Sequence, residues 1–198
     1  NKSMSNIFIE VTYTETNFNN ISYNLYNSTS SIINQTNYTT AITSINFTDL
    51  DDGIYYYNVT IKDSASNVNS TSTRKILLDT LDPTINQLSP ANNSANKTNS
   101  QNITVNITDI NIKNYSLSIY NSTNTLINQT DRTTSTSGVV GIVYNFANGV
   151  FHWFYKAWDW AGNTFTSDTN YVTIDSGTPN IFIISPTNTT YTSLSVGL

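Results

Sequence analysis

The sequence predicts an all-β protein built from two antiparallel β-sandwich domains in tandem. Apolar and polar residues alternate over short runs, which is typical of strands with one buried face and one solvent-facing side. The sequence also repeats with an offset of 96 residues, a distance too long for a solenoid repeat and right for a whole sandwich domain. A chain of 198 residues has room for two domains of about 100 residues each.

The repeat is clearest in two segments, GIYYYNVTIKDSASN at 53–67 and GVFHWFYKAWDWAGN at 149–163. Upstream, NIFIEV at 6–11 matches NITVNI at 102–107 with the same offset. The segment YNST recurs with an offset of 94, which indicates a short deletion balanced by a later insertion. Downstream, the matching pairs are Asp79 with Asp175, Pro83 with Pro179, and Ser89-Pro90 with Ser185-Pro186.

Three segments show which side chains should be buried, namely 20–26, 54–62 and 102–108. In each of them every second residue is apolar, as expected for an antiparallel sandwich with one packed face. The same alternation continues in the strand predicted at 151–160. The expected core residues are Ile21, Tyr23, Leu25, Tyr55, Tyr57, Val59, Ile61, Ile103, Val105, Ile107, Phe151, Trp153, Tyr155 and Ala157.

Turn signals separate these strands and the domains. DSASN at 63–67 and DWAGN at 159–163 begin with Asp and carry Gly or Asn late, which suits a hairpin with a left-handed residue near its end. Segments 77–85 and 172–181 contain Pro and Asp and are predicted to be short, restricted linkers. The predicted units are domain one at 1–81, domain two at 82–176, and the opening strand of a third module, or a donor strand, at 177–198.

The segment DDGIYYY at 51–57 resembles the Asp-x-Gly-x-Tyr-x-Cys stretch of the immunoglobulin fold. Tyr55 stands at the tyrosine corner, and Tyr57 stands where the disulfide cysteine would be. In the second copy Phe151 and Trp153 occupy these two places. A bulky aromatic residue can fill the same space between the sheets as a disulfide.

The wider pattern is similar to the tandem immunoglobulin-like modules of archaeal and bacterial surface proteins. It consists of G-x-Y/F-x-Y/W, then A-x-D-x-A-G-N, a strand, and D-x-x-x-P-x-I-x-x-x-S-P-x-N, and it covers nearly the whole chain. The resemblance implies tandem immunoglobulin-like sandwiches with a structural role outside the cell. It implies nothing about an activity, because many functions share this fold.

Composition argues against several classes of function. Charged residues make up only 11% and the net charge is −5, whereas nucleic-acid binding needs a basic face. Apolar runs are too short for membrane insertion in this segment. His152 is the only histidine and is expected to face outward, and there is no cysteine, so we predict neither a catalytic site nor an enzyme.

Asparagine-linked glycosylation is predicted from sixteen Asn-x-Ser/Thr sequons. The alternative interpretation is composition, since a chain this rich in Asn, Ser and Thr contains roughly nine such motifs by chance. The preferred acceptors are Asn58, Asn102 and Asn106 on outward strand faces, and Asn27, Asn92 and Asn121 in loops.

Clustered aspartates leave a second question open. Asp79, Asp82 and Asp175 are candidates for a Ca²⁺ site between modules, since hard cations take carboxylate oxygens. The alternative is turn capping, which also accounts for Asp51 and Asp52. In the second linker Gly177 and Thr178 replace Leu81 and Asp82, so few oxygen ligands for a cation remain there. Apart from glycans and this candidate Ca²⁺ ion, no cofactor is expected.

An outward aromatic row on the second copy is a candidate contact surface. It comprises Phe154 and Trp158, with Trp160 in the adjoining turn, whereas the first copy has polar residues at two of the outward places. The expected contact is a neighbouring module, a subunit or a sugar ring stacked on tryptophan. The alternative is cover by the domain's own loops.

The two ends of the chain are complementary. Domain one begins just before its second strand, while 179–198 resembles the opening of another module. Residues 180–198 are therefore predicted to fill the first-strand gap of the next copy, with Ile181, Ile183, Leu194 and Val196 inserted; alternatively they continue into a third module of a longer chain.

Together these observations predict a structural subunit or segment of an extracellular filament or cell-surface appendage made of glycosylated modules. The expected partners are further copies or modules joined head to tail, with glycan or cell-surface contacts. The alternative is an adhesin stalk or a carbohydrate-binding surface module.

Overall fold

A computed structural model describes residues 5–185 and residue 190. Within these residues the chain forms sixteen β-strands, and the predicted all-β class is confirmed. No stretch of the described chain forms a helix that could cross a membrane. Two separate cores lie in the two halves of the chain, one formed by residues between Ile7 and Leu78 and the other by residues between Ile103 and Ile174.

Domain one contains seven strands in two sheets. The larger sheet has the order β3-β2-β5, with β6 and β7 both pairing with β5, and the smaller sheet is the pair β1-β4. The strands are β1 Ile7–Glu10, β2 Phe18–Tyr26, β3 Ile32–Tyr38, β4 Ser44–Phe47, β5 Gly53–Asp63, β6 Val68–Ser70 and β7 Arg74–Leu78.

Domain two contains nine strands, and its smaller sheet has three strands in the order β13-β10-β8. The larger sheet has the order β12-β11-β14-β16-β9, with β15 also on β14 and with β9 parallel to β16. The strands are β8 Thr84–Ser89, β9 Ser94–Asn96, β10 Ser100–Thr108, β11 Ile112–Asn121, β12 Leu126–Thr133, β13 Gly138–Asn145, β14 Gly149–Asp159, β15 Thr164–Thr166 and β16 Asn170–Ile174.

The predicted strand facing agrees with the structure in both domains. Along β14 every second side chain is buried and the intervening ones are half-buried or exposed, so Trp153 and Tyr155 are completely enclosed. Tyr57, the counterpart of Trp153, faces inward but is only half-buried, so its prediction as a fully packed core residue was wrong. The reason is an open groove beside it.

The immunoglobulin features expected from the sequence are present. The Tyr55 hydroxyl donates to the Asp51 carbonyl at 2.8 Å, which is the tyrosine-corner bond. Both hairpin turns carry the left-handed residue near their end, with a φ of 74° at Ser66 and 95° at Gly162. The strand order, the corner and the two cores together define a tandem pair of immunoglobulin-like β-sandwiches.

Candidate functional sites: an open sheet edge and the domain junction

The edge of β1 in domain one differs from that of its counterpart β10 in domain two. β10 lies between β13 and β8, whereas among the described residues β1 pairs with β4 alone. The offset of 96 aligns Ile107 of β10 with Val11, and Ile107 is buried while Val11 is half-buried. Domain one therefore presents an unpaired strand edge, a feature that proteins usually cover.

Two neighbouring cavities of about 410 and 300 Å³ follow this edge. Residues 8–12 form one side of the larger cavity, and Tyr57 and Val59 of β5 form its floor. In domain two the positions equivalent to 8–12 are 104–108, and these are the residues that pair with β8. The groove thus lies where the strand equivalent to β8 would be.

Residues 180–185 are the sequence counterpart of β8, and they form no strand. Ile181 and Ile183, the two predicted inserted residues, are exposed at 92% and 84%. Phe182 and Ile184 are equally exposed, so four consecutive large apolar side chains face solvent. Leu194 and Val196, the other predicted inserted residues, lie outside the described residues.

Three aspartates meet at the junction of the two domains. Asp79 follows the last strand of domain one, whereas Asp109 lies in the loop after β10 and Asp159 ends β14, both in domain two. One carboxylate oxygen from each lies within 4.8 Å of the others. Asp79 and Asp159 are each 1% exposed, and Asp109 is half-buried, so three acidic groups share one poorly hydrated space.

Backbone and side-chain hydrogen bonds orient this cluster. Asp79 Oδ1 accepts from the Leu81 N–H at 3.1 Å, and Asp109 Oδ1 accepts from the Asn111 N–H at 2.7 Å. Asp159 Oδ1 accepts from the N–H groups of Gly162 and Asn163 at 2.6 and 2.8 Å. Each carboxylate therefore has a fixed direction set by its own turn.

Asn163 links the cluster across the junction. Its Nδ2 donates to Asp159 Oδ2 at 2.7 Å and to the Asp79 carbonyl at 2.8 Å. Asn163 is 2% exposed, and its Oδ1 is enclosed without a hydrogen-bond partner. The Asn111 side-chain oxygen beside the cluster is enclosed in the same way.

The electrostatics of the junction are unfavourable to three negative charges. Burial raises the pKa of Asp79, and the negative charges of Asp159 and Asp52 raise it further, against the hydrogen bond from the Leu81 N–H. Burial also raises the pKa of Asp109, again with contributions from Asp159 and Asp79. Both shifts have the same physical cause, because burial and neighbouring negative charges disfavour the ionised form of a carboxyl group.

The three aspartates predicted as Ca²⁺ candidates do not lie together in the structure. Asp79 belongs to the cluster, and Asp82 lines an adjacent cavity of the junction. Asp175 follows Ile174 of β16, which pairs with Gly149 at the start of β14. Asp159 is the last residue of β14, so Asp175 and Asp159 lie about 30 Å apart at roughly 3.3 Å per strand residue. The alternative turn role fits Asp79, which accepts from the N–H two residues later, whereas Asp52 accepts hydrogen bonds at 3.0 and 3.1 Å from Thr80, 28 residues away.

Sequence reasoning missed Asp109 and Asp159 as members of the cluster. Asp159 was interpreted only as a turn residue of DWAGN, and Asp109 was not singled out. The available signal was the repeat, because Asp63 and Asn67 form the same turn, with hydrogen bonds of 2.8 and 2.7 Å. What the repeat could not give is the approach of Asp79 from the other domain.

The aromatic row of domain two is partly covered by its own neighbours. Phe154 stacks on Tyr120 at 5.8 Å between ring centroids, and Lys156 lies 5.0 Å from the centre of the Trp158 ring. Trp160 is 66% exposed, with the Lys113 ammonium 5.1 Å from its ring centre. Of the three, Trp160 is the one that presents most surface.

His152 is stacked between two tyrosines on the outer face of the larger sheet. The ring centroid of Tyr120 is 5.2 Å away and that of Tyr171 is 5.5 Å away. The ring therefore contributes to an aromatic stack.

The candidate glycan acceptors fall into two groups. In the loops, Asn27 and Asn121 use Oδ1 to accept hydrogen bonds from their own turns, which leaves the attachment atom Nδ2 outside the turn bonding, and Asn92 is exposed. On the strands, Asn102 is exposed and Asn106 is half-buried. Asn58 is half-buried, and its Nδ2 donates to the Thr73 hydroxyl at 3.0 Å, so a glycan there would break this bond.

Solved structures with a similar fold come from several kinds of protein. The fibronectin(III)-like modules of Clostridium thermocellum CbhA share 16% identity at a TM-score of 0.47, with 87% of each chain covered. A tetra-tandem repeat in the extending region of a large adhesion protein shares 16% at 0.45, covering 81% of this chain and 43% of that one. The amphioxus IgVJ-C2 molecule shares 13% at 0.43, covering 88% and 98%.

No protein family and no curated protein matches the sequence. At these identities the similar structures concern the fold alone. The assignment to tandem immunoglobulin-like domains rests on the strands and contacts described above.

Proposed function

We propose that this chain is a spacer segment of an extracellular surface or filament protein, whose immunoglobulin-like domains join head to tail by strand donation. The observation that carries the proposal is the groove along β1 together with the unpaired apolar segment 180–185. An added strand would supply main-chain hydrogen bonds along the edge, and side-chain pockets would set its register.

The register of the donated strand follows from domain two. There β8 is antiparallel to β10, with Ile85 opposite Ile107 and Gln87 opposite Val105. Shifting every number by 96 places Ile181 opposite Val11 and Ile183 opposite Ile9. Segment 180–185 would then occupy the groove in the same direction as β8.

The facing of the donated side chains follows as well. Ile85 packs against the core of domain two, whereas Leu88 on the same strand is exposed. Ile181 corresponds to Ile85 and would enter the groove beside Tyr57, whereas Ile184 corresponds to Leu88 and would stay outside. Because Ile85 and Gln87 are themselves half-buried in β8, each donated isoleucine would contribute less than the roughly 1.5–3 kcal/mol of a fully buried side chain.

A contact of this type joins different surfaces of two copies. It therefore propagates into a filament unless the rotation between copies closes a ring. In a longer chain the same segment would instead open a following module, and the spacer would be covalent. In either arrangement the domains would act as structural spacers.

Assembly can be tested by analytical ultracentrifugation over a range of protein concentrations. We expect the full chain to form a concentration-dependent series of oligomers. The double substitution Ile181→Asp and Ile183→Asp should leave monomers, because charged side chains cannot enter an apolar groove. The matched control Ile184→Asp should assemble like the unmodified chain, since this side chain stays outside.

A monomer at every concentration would contradict strand donation between copies. Equal loss of assembly in the Ile184→Asp control would show that the exposed segment associates without the predicted register. Glycosylation needs a separate test, the intact mass of native material. A mass equal to the bare polypeptide of 22.0 kDa would exclude it.

A second candidate function is carbohydrate binding at Trp160, which is favoured by the exposure of this side chain beside a cavity. Lys113, Asn114 and Thr133 line this cavity together with Trp160. Stacking of a sugar ring on the indole would be the main contact. Saturable binding on a glycan array that disappears in Trp160→Ala but persists in Trp158→Ala would support it, and no binding to any glycan would exclude it.

A further inference from the structure

The acidic cluster at the domain junction has the geometry of a cation site. Asp79, Asp109 and Asp159 approach within 4.8 Å through oxygens that belong to three different turns. Two of the three side chains are almost completely buried, and the nearby Asp52 adds a further negative charge. Like charges at this separation repel strongly in a poorly hydrated space unless a counter-ion or protons neutralise them.

Asn163 gives an independent indication of a ligand. Its side-chain amide borders the cluster, since Nδ2 donates to both Asp159 Oδ2 and the Asp79 carbonyl. Asn163 is only 2% exposed, yet its Oδ1 accepts no hydrogen bond. A buried carbonyl oxygen without a donor is rare in native proteins and calls for a partner such as an ion.

We propose that Asp79, Asp109, Asp159 and the Asn163 side-chain oxygen bind one Ca²⁺ ion between the two domains. Ca²⁺ takes 6–8 oxygen ligands in flexible geometry, and carboxylates and amide carbonyls are typical donors. The Asn111 side-chain oxygen is a further donor at the edge of the cluster, and water completes the shell. Mg²⁺ is less suited, because it requires a near-ideal octahedron and retains its own water.

Such an ion would couple the orientation of the two domains. Asp79 comes from the end of β7 in domain one, whereas the other ligands come from the loops before β11 and after β14 in domain two. A shared ion therefore restrains the linker more than hydrogen bonds alone, such as that from Asn163 to the Asp79 carbonyl. The inference does not depend on strand donation, because every ligand lies within one chain.

Because the sequence repeats, residues equivalent to part of this site occur near both ends of the described chain. Glu15 Oε1 accepts from the Asn17 N–H at 2.8 Å, as Asp109 Oδ1 accepts from Asn111, and Asp63 and Asn67 reproduce the turn of Asp159 and Asn163. Asp175 Oδ1 accepts from the Gly177 N–H at 3.0 Å, as Asp79 Oδ1 accepts from Leu81. Among the described residues, however, only Asp79, Asp109 and Asp159 bring three acidic groups together.

Isothermal titration calorimetry with CaCl₂ tests the site. We expect one equivalent of Ca²⁺ to bind the unmodified chain and MgCl₂ to bind much more weakly. Asp109→Asn keeps a side-chain oxygen but removes one of the three negative charges, so it should weaken Ca²⁺ binding at least tenfold. Even changes to groups behind the ligands typically weaken metal binding 10–100-fold. The matched control Asp63→Asn changes the equivalent hairpin in domain one and should bind normally.

Two further measurements keep the result clear. The melting temperature with and without Ca²⁺ should rise for the unmodified chain and for Asp63→Asn, but not for Asp109→Asn. Circular dichroism should show that Asp109→Asn remains folded, and Asp159→Asn provides a second ligand variant. Absence of binding at millimolar Ca²⁺, equal binding of Mg²⁺, or normal binding by folded Asp109→Asn would overturn the proposal.

Discussion

Val11 in domain one and Ile107 in domain two occupy equivalent places in equivalent strands, yet their surroundings differ. Ile107 is covered by β8 and is 1% exposed, whereas Val11 borders a groove and is half-buried. The same contrast holds one sheet away, where Trp153 is enclosed and Tyr57 lines that groove. A repeated sequence thus specifies inward facing, while burial depends on whether a neighbouring strand is present.

The two acidic hairpins show a second contrast. Asp63 and Asp159 each bind the Asn four residues later in the same way. Asp63 is half-buried, and its pKa is lowered mainly by the hydrogen bond from the Asn67 side chain. Asp159 is buried against Asp79 and Asp109. The turn is a local property of the sequence, whereas the cluster exists only where a second domain approaches.

The largest expected effect comes from truncating the two equivalent aromatic residues. Trp153→Ala should lower the free energy of unfolding of domain two by about 3–5 kcal/mol, because it removes a fully packed side chain. Tyr57→Ala should lower that of domain one by roughly 1–2 kcal/mol, because a half-exposed ring contributes less burial. Urea denaturation followed by circular dichroism measures both.

Tryptophan fluorescence separates the domains in this experiment, because all three tryptophans belong to domain two. Trp158→Ala is the control for losing a tryptophan at the half-buried outer face. Equal costs for Tyr57→Ala and Trp153→Ala would mean that the groove of domain one is closed in solution.

Alkaline pH should destabilise both domains through their buried tyrosines. Burial is the main cause that raises the pKa of Tyr23 to about 12, and it raises the pKa of Tyr155 further. The unfolded chain has an ordinary tyrosine pKa of about 10. Because the folded form retains its protons longer, stability is complete below about pH 10 and falls as the pH rises towards the folded values.

Thermal unfolding between pH 8 and 11.5 checks this dependence. Tyr23→Phe should flatten the loss for domain one, and Tyr155→Phe should flatten it for domain two. A melting temperature that stays constant up to pH 11.5 would contradict the burial of both hydroxyls.

A smaller effect distinguishes the corner of domain one. Tyr55→Phe removes the hydrogen bond to the Asp51 carbonyl and should cost about 0.5–1.5 kcal/mol. Domain two has Phe151 at this place and cannot form that bond. Tyr171→Phe, which removes a hydroxyl from an exposed ring, should cost nothing measurable in urea denaturation.

The fold was predictable because its signals are local. Alternation fixed the facing of β2, β10 and β14, and the motif DDGIYYY located the tyrosine corner at Tyr55. Burial of Tyr57 was overestimated, since it depends on a strand from elsewhere. The turn of Asp159 was visible in DWAGN, but its approach to Asp79 depends on how the domains meet, which alternation and turn residues do not encode.

Hydrogen exchange of β1 tests most directly whether the groove of domain one accepts a strand like 180–185. A peptide of residues 178–190 would be added to the Ile181→Asp and Ile183→Asp variant, which cannot fill the groove with its own segment. We expect exchange at residues 7–12 to slow, while residues 103–108 remain unchanged because β8 already covers β10. Unchanged exchange at residues 7–12 at saturating peptide would contradict strand donation.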